Sequence, residues 1–452
     1  MTQCLFLISI KIDYMKFSRY NFLYSSKEYG KLLFNTRTKY FASLDATLFN
    51  LLKNLSSEEI RDIKALNIPD DILKQFIEAK VLIKSTEDED FFYLKKYLRY
   101  KQTFSNNQLG LIIVPTFSCN FKCPYCYEYN LPSRTISDYT ISGIINFLKL
   151  KGTKNINLCW HGGEPLLAFD KIVKFLDEFN RCNGFTLSSH AMVTNGFLLD
   201  DHKCKILKNY NLDTVQITID GDRNTHNQSR IHKQGIPTYD TIIANVENIF
   251  KYIPNCQVII RVNLHKENKE IFPKIYHQLK TLWGNQKYSF NIAFVNDINN
   301  TCKVGCLADQ EKIPYLKSLY KDFGIKDISI NANPIIGGCT AAYNNSFIIG
   351  PSGEIYKCWV DVGKREKITG NIWNNNISNY ILSSYVVGSD MFTDTQCKKC
   401  TFFPLCDGGC IVRRYNKKHY NIDYTPCYYD NQNFKSLLDF YYLKLQEKTN
   451  IK

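Results

Sequence analysis

The stretch Cys119-Asn-Phe-Lys-Cys123-Pro-Tyr-Cys126-Tyr-Glu128 places three cysteines at C-x3-C-x2-C spacing in one short segment. An apolar run, Leu111–Val114, comes just before it and predicts a short buried strand that leads into a loop. Cysteines this close in sequence can direct their thiols at a single bound group. The loop therefore predicts a thiolate site at the end of a strand.

Three thiolates in one loop can hold three corners of a 4Fe–4S cluster, because such clusters are held by cysteine thiolates. The fourth iron then has no protein ligand and can bind a small molecule. The alternatives are a zinc site and three unrelated buried cysteines. Zinc takes four ligands in structural sites, and no nearby histidine completes such a set here.

The spacing, the preceding strand and the aromatic Tyr125 resemble the signature loop of radical S-adenosylmethionine (SAM) enzymes. In that family the cluster, held here by Cys119, Cys123 and Cys126, donates an electron to bound SAM, which then releases a 5′-deoxyadenosyl radical. The resemblance implies a 4Fe–4S cluster and SAM as cofactors. It assigns no side chain as a general acid or base.

Composition narrows the class of protein further. The chain has 452 residues, enough for two or three domains, and a net charge of +14 without a long Lys/Arg block. We therefore expect a generally basic surface and no nucleic-acid partner. Its 17 cysteines occur without a signal peptide or an apolar run long enough to span a membrane, which predicts reduced thiols in the cytoplasm and no membrane partner. The start, Met1 or Met15, is left open.

Between residues 108 and 300, apolar β-branched segments alternate with segments of helical periodicity. Repeated strand–helix units predict parallel strands joined by right-handed crossovers, and therefore an α/β fold. The family resemblance implies a partial (β/α)6 TIM-like barrel, in which loops at the C-terminal strand ends carry the chemistry. The predicted strands are Leu111–Val114, Ile156–Trp160, Leu187–Val193, Thr214–Ile219, Gln257–Asn263 and Tyr288–Phe294.

Later loops supply candidate SAM contacts. The segment His161-Gly-Gly-Glu-Pro165 resembles the family's Gly-Gly-Glu motif, which binds the amino group of SAM, although such turns are also common elsewhere. By resemblance, a hydroxyl and an arginine after the fourth strand bind the SAM carboxylate, and Asp220 orients the loop or touches substrate. A surface salt bridge is the alternative for the arginine. The predicted SAM contacts are Tyr125, Gly162, Gly163, Glu164, Asn195, Thr218, Arg230 and Asn263.

Seven further cysteines lie near the C-terminus, with a C-x2-C-x5-C-x3-C core. The block resembles the SPASM extension of radical SAM enzymes, which holds two auxiliary 4Fe–4S clusters and brings the total to three; zinc ribbons are the alternative. Relatives with full ligation carry a further cysteine where this chain has Asn345, so the first cluster has an open iron or takes a ligand such as Cys302 or Cys306. By resemblance the ligand sets are Cys339, Cys358 and Cys410 for auxiliary cluster I, and Cys397, Cys400, Cys406 and Cys427 for auxiliary cluster II.

Four segments are predicted as structural units. Residues 15–100 resemble a winged-helix-like domain that recognises a leader peptide, although a packing role and DNA binding are alternatives; an acidic turn is predicted at Glu87–Asp90. Residues 108–300 form the barrel, and 335–430 form the SPASM domain with its two clusters. Residues 431–452 are predicted to form a closing amphipathic helix.

These parts predict an enzyme that oxidises a ribosomally made precursor peptide, forming a thioether or similar crosslink. One alternative is an anaerobic sulfatase maturase, which makes formylglycine. Such maturases carry an aspartate directly after the cysteine matched by Cys358, whereas here that residue is Trp359 and Asp361 lies two positions on. A non-catalytic iron–sulfur scaffold or electron carrier is the alternative of another class. The predicted partners are a precursor peptide with a leader segment and an electron donor such as flavodoxin or ferredoxin.

Overall fold

The computed structural model describes residues 14–55, 59–128, 131–297, 302–327, 339–374, 377–422, 427 and 429–449. The predicted boundaries at 300 and 335, the alternative start at Met1 and residues 450–452 lie outside these ranges. The other domain boundaries stay predictions. No helix in the described part of the chain is long and apolar enough to cross a membrane.

The strands of the described residues are β1 (Met15–Phe17), β2 (Asn21–Ser26), β3 (Gly30–Asn35), β4 (Phe41–Leu44), β5 (Glu59–Ile60), β6 (Leu82–Lys84), β7 (Gln108–Ile113), β8 (Asn155–Trp160), β9 (Thr186–Thr194), β10 (Thr214–Thr218), β11 (Gln257–Leu264), β12 (Tyr288–Phe294), β13 (Ser346–Ile349), β14 (Glu354–Tyr356) and β15 (Gly370–Asn371). The α-helices are α1 (Ala46–Asn54), α2 (Asp70–Glu78), α3 (Glu87–Thr103), α4 (Asp138–Lys151), α5 (Phe169–Arg181), α6 (Asp201–Lys208), α7 (Arg223–Ser229), α8 (Tyr239–Tyr252), α9 (Phe272–Trp283), α10 (Asp309–Lys321), α11 (Tyr380–Ser383), α12 (Thr395–Lys399), α13 (Ile411–Tyr420) and α14 (Asn431–Thr449).

Strands β7 to β12 form the predicted parallel sheet, and they lie side by side in chain order. Helices α4 to α9 connect them, as expected for right-handed strand–helix–strand units. The buried face of β11 shows the alternation of side chains that a pleated strand produces, with Val258, Ile260 and Val262 in the core. The α/β class and the partial TIM-like barrel are therefore confirmed.

The C-terminal part of the chain is continuous with this sheet. Strand β13 pairs in parallel with β7, with Phe347 opposite Leu111, and β14 and β15 add antiparallel strands beyond it. The C-terminal cysteine segment is therefore attached to the barrel at β7, the strand that leads into the three-cysteine loop.

The N-terminal residues form two small antiparallel sheets, with strand orders β5-β1-β6 and β2-β3-β4. The predicted acidic turn at Glu87–Asp90 is wrong, because these residues are the first turn of the long helix α3. Carboxylates near a helix N-terminus are stabilised by the helix dipole. Asp88 is also buried and accepts hydrogen bonds from the Ser18 hydroxyl and the Arg19 backbone N–H, both at 2.9 Å.

Helix α3 fastens the N-terminal sheets to the C-terminal cysteine block. The Lys95 ammonium donates to the carbonyl oxygens of Phe403 and Pro404 at 2.7 and 2.9 Å. Arg99 forms an ion pair with Asp407 at 2.6 Å. These charged contacts fix α3 against the segment between two of the predicted cluster ligands.

Candidate active site

A cavity of about 600 Å³ opens at the C-terminal ends of β7 to β12. We call it the barrel cavity. The thiols of Cys119, Cys123 and Cys126 all line it. Its volume falls within the usual range for small-molecule and cofactor sites. The structure therefore brings the three thiols together on the wall of one ligand-sized space, at the end of the barrel where chemistry is expected.

Backbone hydrogen bonds hold the three-cysteine loop in place. The Lys122 N–H donates to the Ile231 carbonyl at 2.8 Å, and the Phe121 N–H points at the Cys119 sulfur at 3.3 Å. The Asn195 amide donates to the Asn120 side-chain oxygen at 2.7 Å and lies 3.9 Å from the same sulfur. Such donors stabilise a thiolate in preference to a thiol.

Burial raises the pKa of Cys119 to about 12 and that of Cys126 to about 11. Burial also raises the pKa of Cys123. Thiols with such pKa values are poor free nucleophiles, whereas a bound metal ion deprotonates a coordinating thiol outright. Three buried thiols with amide donors beside them fit an iron–sulfur cluster.

The two glycines after β8 are required by close packing. A Cβ on Gly163 would lie 2.3 Å from the Ser118 carbonyl oxygen, and one on Gly162 would lie 2.7 Å from the Thr116 carbonyl oxygen. Gly162 also has a φ of +134°, which disfavours other residues. The Gly-Gly pair therefore lets the loop after β8 press against the backbone that leads into Cys119, and both glycines line the cavity.

Glu164 lies differently from what the family motif suggests. It is fully buried and is absent from the cavity wall. Its carboxylate accepts hydrogen bonds from the Thr194 hydroxyl and the Asn195 N–H, both at 2.7 Å, and from the Leu166 N–H at 3.0 Å. In this arrangement Glu164 ties the second strand end to the third, and its contact with SAM stays a prediction.

A buried charge network supports the part of the cavity wall that contains Tyr125, Arg230 and Asn263. Asp220 accepts hydrogen bonds from the Tyr125 hydroxyl and from the Asn263 N–H. Arg230 donates to the same Tyr125 hydroxyl at 3.2 Å, and its guanidinium lies over the Phe121 ring. Burial raises the pKa of Asp220, and the Arg230 charge opposes that shift. The network fixes Tyr125, Arg230 and Asn263, three of the predicted SAM contacts.

Apart from Glu164, every predicted SAM contact lines the barrel cavity. These residues are Tyr125, Gly162, Gly163, Asn195, Thr218, Arg230 and Asn263. Their individual roles stay predictions.

The sequence-based prediction missed a group of side chains on the remaining wall. The Tyr127 hydroxyl lies 3.1 Å from His161 Nε2, and the His161 ring contacts Trp359 edge-on, with centroids 4.2 Å apart. Burial lowers the pKa of His161 to about 3 and raises the pKa of Glu128 to about 7. Gln216 and Arg261 also line the cavity. They precede Thr218 and Asn263 by two positions, so strand alternation could have indicated them.

The C-terminal cysteines form two groups. Met391, Phe402, Phe403 and Tyr429 help to line a small cavity of about 30 Å³, which also includes the Cys397, Cys400, Cys406 and Cys427 side chains. We call it the cysteine pocket. In the second group, burial raises the pKa of Cys358, and the charges of Cys339 and Cys410 add to the shift. These two groups have the same members as the predicted ligand sets, and their role as cluster ligands stays a prediction.

No three metal-binding side chains among the described residues are close enough to hold a single metal ion. A cubane cluster is wider than an ion, so its thiolate ligands stand further apart. The donor sets in the barrel cavity and the cysteine pocket consist of thiols alone, which is the donor chemistry that iron–sulfur clusters require.

The positions of Asn345 and the Cys302–Cys306 pair bear on the missing ligand of auxiliary cluster I. The Asn345 amide is buried and donates to the Gln108 carbonyl at 2.8 Å, at the start of β7. The Cys302 and Cys306 sulfurs lie 4.0 Å apart, and the Lys303 N–H between them donates to the Pro124 carbonyl of the three-cysteine loop at 2.8 Å. This pair therefore packs beside the three-cysteine loop.

Comparison with known proteins gives the class. Residues 113–279 match the family model described as the Radical SAM superfamily. This part of the chain is therefore a radical SAM domain.

Named relatives include the cysteine-type anaerobic sulfatase-maturating enzyme of Clostridium perfringens strain 13, which is 24% identical over 76% of this chain and 98% of its own length. The serine-type enzyme of Bacteroides thetaiotaomicron is 25% identical over 66% of this chain and 81% of its own length. The chain is homologous to these maturases.

Two solved structures share the fold. An anaerobic sulfatase maturase with bound AdoMet and a peptide matches with a TM-score of 0.58 at 21% identity, covering 76% of this chain and all of its own. Streptococcus suis SuiB bound to its precursor peptide SuiA matches with a TM-score of 0.51 at 16% identity, covering 88% of this chain and 96% of its own. The SuiB match extends over more of this chain.

Proposed function

We propose that this enzyme is a maturase that oxidises a residue of a ribosomally made precursor peptide, forming a thioether or similar crosslink. The observation that carries the proposal is the wall around Trp359. Sulfatase maturases have an aspartate at this position, whereas here an indole lines the barrel cavity. The nearby Asp361 is no substitute, because it is buried away from the cavity and accepts the Tyr385 hydroxyl at 2.5 Å.

When bound, the cluster and SAM supply a radical that removes a hydrogen atom from substrate. The chain's own residues provide the site. The buried network of Asp220, Tyr125 and Arg230 fixes the wall on the predicted SAM side. Tyr127, His161 and Trp359 form an aromatic wall on the other side, and an aromatic surface suits a peptide side chain while excluding water.

The two C-terminal thiol groups are proposed to hold two further 4Fe–4S clusters that accept the electron or bind substrate. Asn345 supports an open iron in auxiliary cluster I, since its amide is already used in holding β7. A substrate thiolate is the ligand that such an iron would favour.

The N-terminal 15–100 segment is proposed to recognise a leader peptide. The coverage of the SuiB match supports this, since that structure contains a precursor peptide and aligns with 88% of this chain. Among the described residues, β2 and β4 are the outer strands of the β2-β3-β4 sheet, and an extended peptide could add to such an edge as a strand. A reduced flavodoxin or ferredoxin is the proposed electron donor, and the cytoplasm, where thiols stay reduced, is the proposed compartment.

The test uses anaerobically reconstituted protein with SAM, a strong reductant and candidate precursor peptides. The proposal predicts 5′-deoxyadenosine together with a peptide lighter by two hydrogens, and no product from Cys126→Ala. A wild type with all clusters loaded that makes neither product with any peptide would favour a scaffold or electron carrier.

The second candidate is an anaerobic sulfatase maturase, and the homology to the Clostridium and Bacteroides enzymes favours it. A peptide that carries the cysteine or serine of a sulfatase active site separates the two. Formylglycine is an aldehyde and reacts with hydrazide reagents, whereas a thioether does not. An aldehyde product would replace the first proposal by this one.

A further inference from the structure

Arg414 occupies an unusual position next to the cysteine pocket. Its guanidinium is buried, with only 8% of the side chain exposed. One terminal nitrogen, Nη2, donates to the Cys397 sulfur at 2.9 Å. The other, Nη1, donates to Asp394 Oδ2 at 2.5 Å, and Nε donates to the Gly408 carbonyl at 2.5 Å. All three nitrogens of the guanidinium thus donate a hydrogen bond, and one of these bonds goes to the predicted cluster ligand Cys397.

The residue also connects the two predicted auxiliary sites. Helix α13 begins directly after Cys410, a predicted ligand of cluster I, and the Arg414 N–H donates to the Cys410 carbonyl at 3.1 Å. One helical turn therefore separates the backbone that carries a cluster I ligand from the side chain that contacts a cluster II ligand.

Asp394 has two roles in the same arrangement. Its Oδ1 accepts the N–H groups of Gln396 and Cys397, at 2.8 and 3.3 Å, and so caps helix α12. Its Oδ2 neutralises part of the Arg414 charge. Asp394 thereby positions the Cys397 backbone and weakens the positive potential at the Cys397 sulfur.

We propose that Arg414 raises the reduction potential of auxiliary cluster II through its hydrogen bond to Cys397, and that Asp394 limits the size of this effect. The inference rests on the proposed presence of that cluster. Reduction adds one electron, and therefore one negative charge, to the cluster and its thiolates. A buried cation that donates to a ligand sulfur stabilises the more negative form, and hydrogen bonds to sulfur are a known determinant of cluster potentials.

The consequence is a direction for electron flow. An electron released when the peptide is oxidised moves toward the couple with the higher potential. By raising the potential of auxiliary cluster II, Arg414 makes this cluster a better electron acceptor than it would be without the contact, and the electron then passes to an external acceptor such as an oxidised flavodoxin or ferredoxin. Arg414 acts through the Cys397 sulfur and is therefore a positioning residue, with no contact to substrate.

The test is a potentiometric titration of the reconstituted full-length chain, followed by electron paramagnetic resonance. In a Cys119→Ala/Cys123→Ala/Cys126→Ala background only the auxiliary clusters contribute. Arg414→Gln is expected to make the midpoint potential of one couple more negative. Asp394→Asn keeps the helix cap and removes the counter-charge, so it is expected to make the same couple more positive. Arg414→Lys keeps the charge but loses the forked geometry and should fall between wild type and Arg414→Gln.

Two controls make the result decisive. The couple of auxiliary cluster I serves as an internal reference, and Arg413→Gln removes the same charge one residue away on α13. Opposite shifts for Arg414→Gln and Asp394→Asn, confined to one couple, would support the proposal, since a purely structural role would not reverse sign. Unchanged potentials, or equal shifts with Arg413→Gln, would overturn it.

If Arg414→Gln does not retain auxiliary cluster II, the midpoint potential of Asp394→Asn decides the test: a more positive value supports the proposal and an unchanged value overturns it. If the wild-type chain incorporates no auxiliary cluster, the two-cluster part of the proposed function fails and this inference falls with it. If both auxiliary clusters are present and neither Arg414→Gln nor Asp394→Asn changes a midpoint potential, only this inference fails.

Discussion

The barrel cavity and the cysteine pocket both collect cysteines, but they differ in size and in chemistry. The barrel cavity has a volume of about 600 Å³ and a wall with amide, carboxyl, guanidinium and imidazole groups. The cysteine pocket measures about 30 Å³ and is lined by its four cysteines, Arg414 and the largely apolar side chains of Met391, Phe402, Phe403 and Tyr429. A roomy polar site suits a cluster that must bind a ligand and act on a substrate. A narrow apolar site suits a cluster that only stores or passes an electron, because the apolar surroundings control solvent access and potential.

The two sites are also supported by different parts of the chain. Strand ends and close glycine contacts build the barrel cavity. The cysteine pocket depends instead on long-range packing, since Tyr20 and Phe92 from the N-terminal segment form a buried cluster with Met391 and Phe403. The N-terminal segment therefore supports the cysteine pocket directly.

The largest expected effect concerns the glycine contact that shapes the barrel cavity. In Gly163→Ala the new Cβ meets the Ser118 and Phe117 carbonyl oxygens at 2.3 and 2.6 Å, and backbone cannot move aside cheaply. We expect a loss of about 3 kcal/mol in unfolding free energy, measured by urea denaturation, and loss of the first cluster. Gly388→Ala is the matched control, because its Cβ meets nothing closer than 3.6 Å. Equal stability of the two variants would refute the packing argument.

The second expected effect concerns helix α3 and tests whether the two sites are structurally independent. Lys95→Met removes a half-buried cation that donates to the carbonyl oxygens of Phe403 and Pro404. Hydrogen bonds of this charged type contribute about 2 kcal/mol, so we expect faster hydrogen exchange in the cysteine pocket and unchanged exchange in the barrel cavity.

Lys96→Met is the control for helix α3. It removes the same charge from a side chain that lies over the Tyr100 ring. Loosening of the barrel cavity by Lys95→Met would show that the two sites are not independent.

A third effect is a pH dependence with opposite signs at two neighbouring groups in the barrel cavity. Burial holds the pKa of His161 at about 3, so its contribution to stability is present above the unfolded pKa of about 6.5 and is lost as the pH falls. Burial raises the pKa of Glu128 to about 7, so its contribution is present below the unfolded pKa of about 4.5 and is lost as the pH rises.

Between pH 7.5 and 5.5 each group is expected to change the unfolding free energy by about 1–2 kcal/mol, in opposite directions. Relative to wild type, His161→Gln should gain stability on acidification and Glu128→Gln should lose it. Denaturant titrations at the two pH values measure both. Shifts of the same sign in the two variants would contradict the burial argument.

The smallest expected effect concerns Trp359 in the aromatic wall of the barrel cavity. Trp359→Ala removes a ring that packs against His161 with centroids 4.2 Å apart. We expect peptide oxidation to fall about tenfold, equivalent to about 1.4 kcal/mol, while SAM cleavage continues. Equal loss of both activities would place Trp359 on the cofactor side.

The sequence was informative where the signal is local. The three-cysteine loop at the end of a strand and the six parallel strands follow from spacing and periodicity, and the structure has them. The ligand sets of the C-terminal cysteines came from the family resemblance and stay predictions. Helix α3 was missed because its first turn is acidic and its outer face carries exposed side chains such as Tyr93 and Tyr97, so the pattern lacks a clear apolar stripe.

Long-range placement could not be predicted in the same way. Glu164 occupies the position that the motif gives it, but only the fold determines that its carboxylate points at Thr194 and Asn195. The contact between Arg414 and Cys397 joins residues that are 17 positions apart on different helices. No local periodicity encodes either contact, since both depend on how separate elements pack.

The most direct test of the division between the two sites compares Cys126→Ala with Cys400→Ala under identical anaerobic conditions. Formation of 5′-deoxyadenosine and oxidation of the peptide are measured together. We expect that Cys126→Ala forms neither product, and that Cys400→Ala still cleaves SAM but yields no oxidised peptide. Full peptide oxidation by Cys400→Ala, or SAM cleavage by Cys126→Ala, would contradict the assignment of radical formation to the barrel cavity and electron transfer to the cysteine pocket.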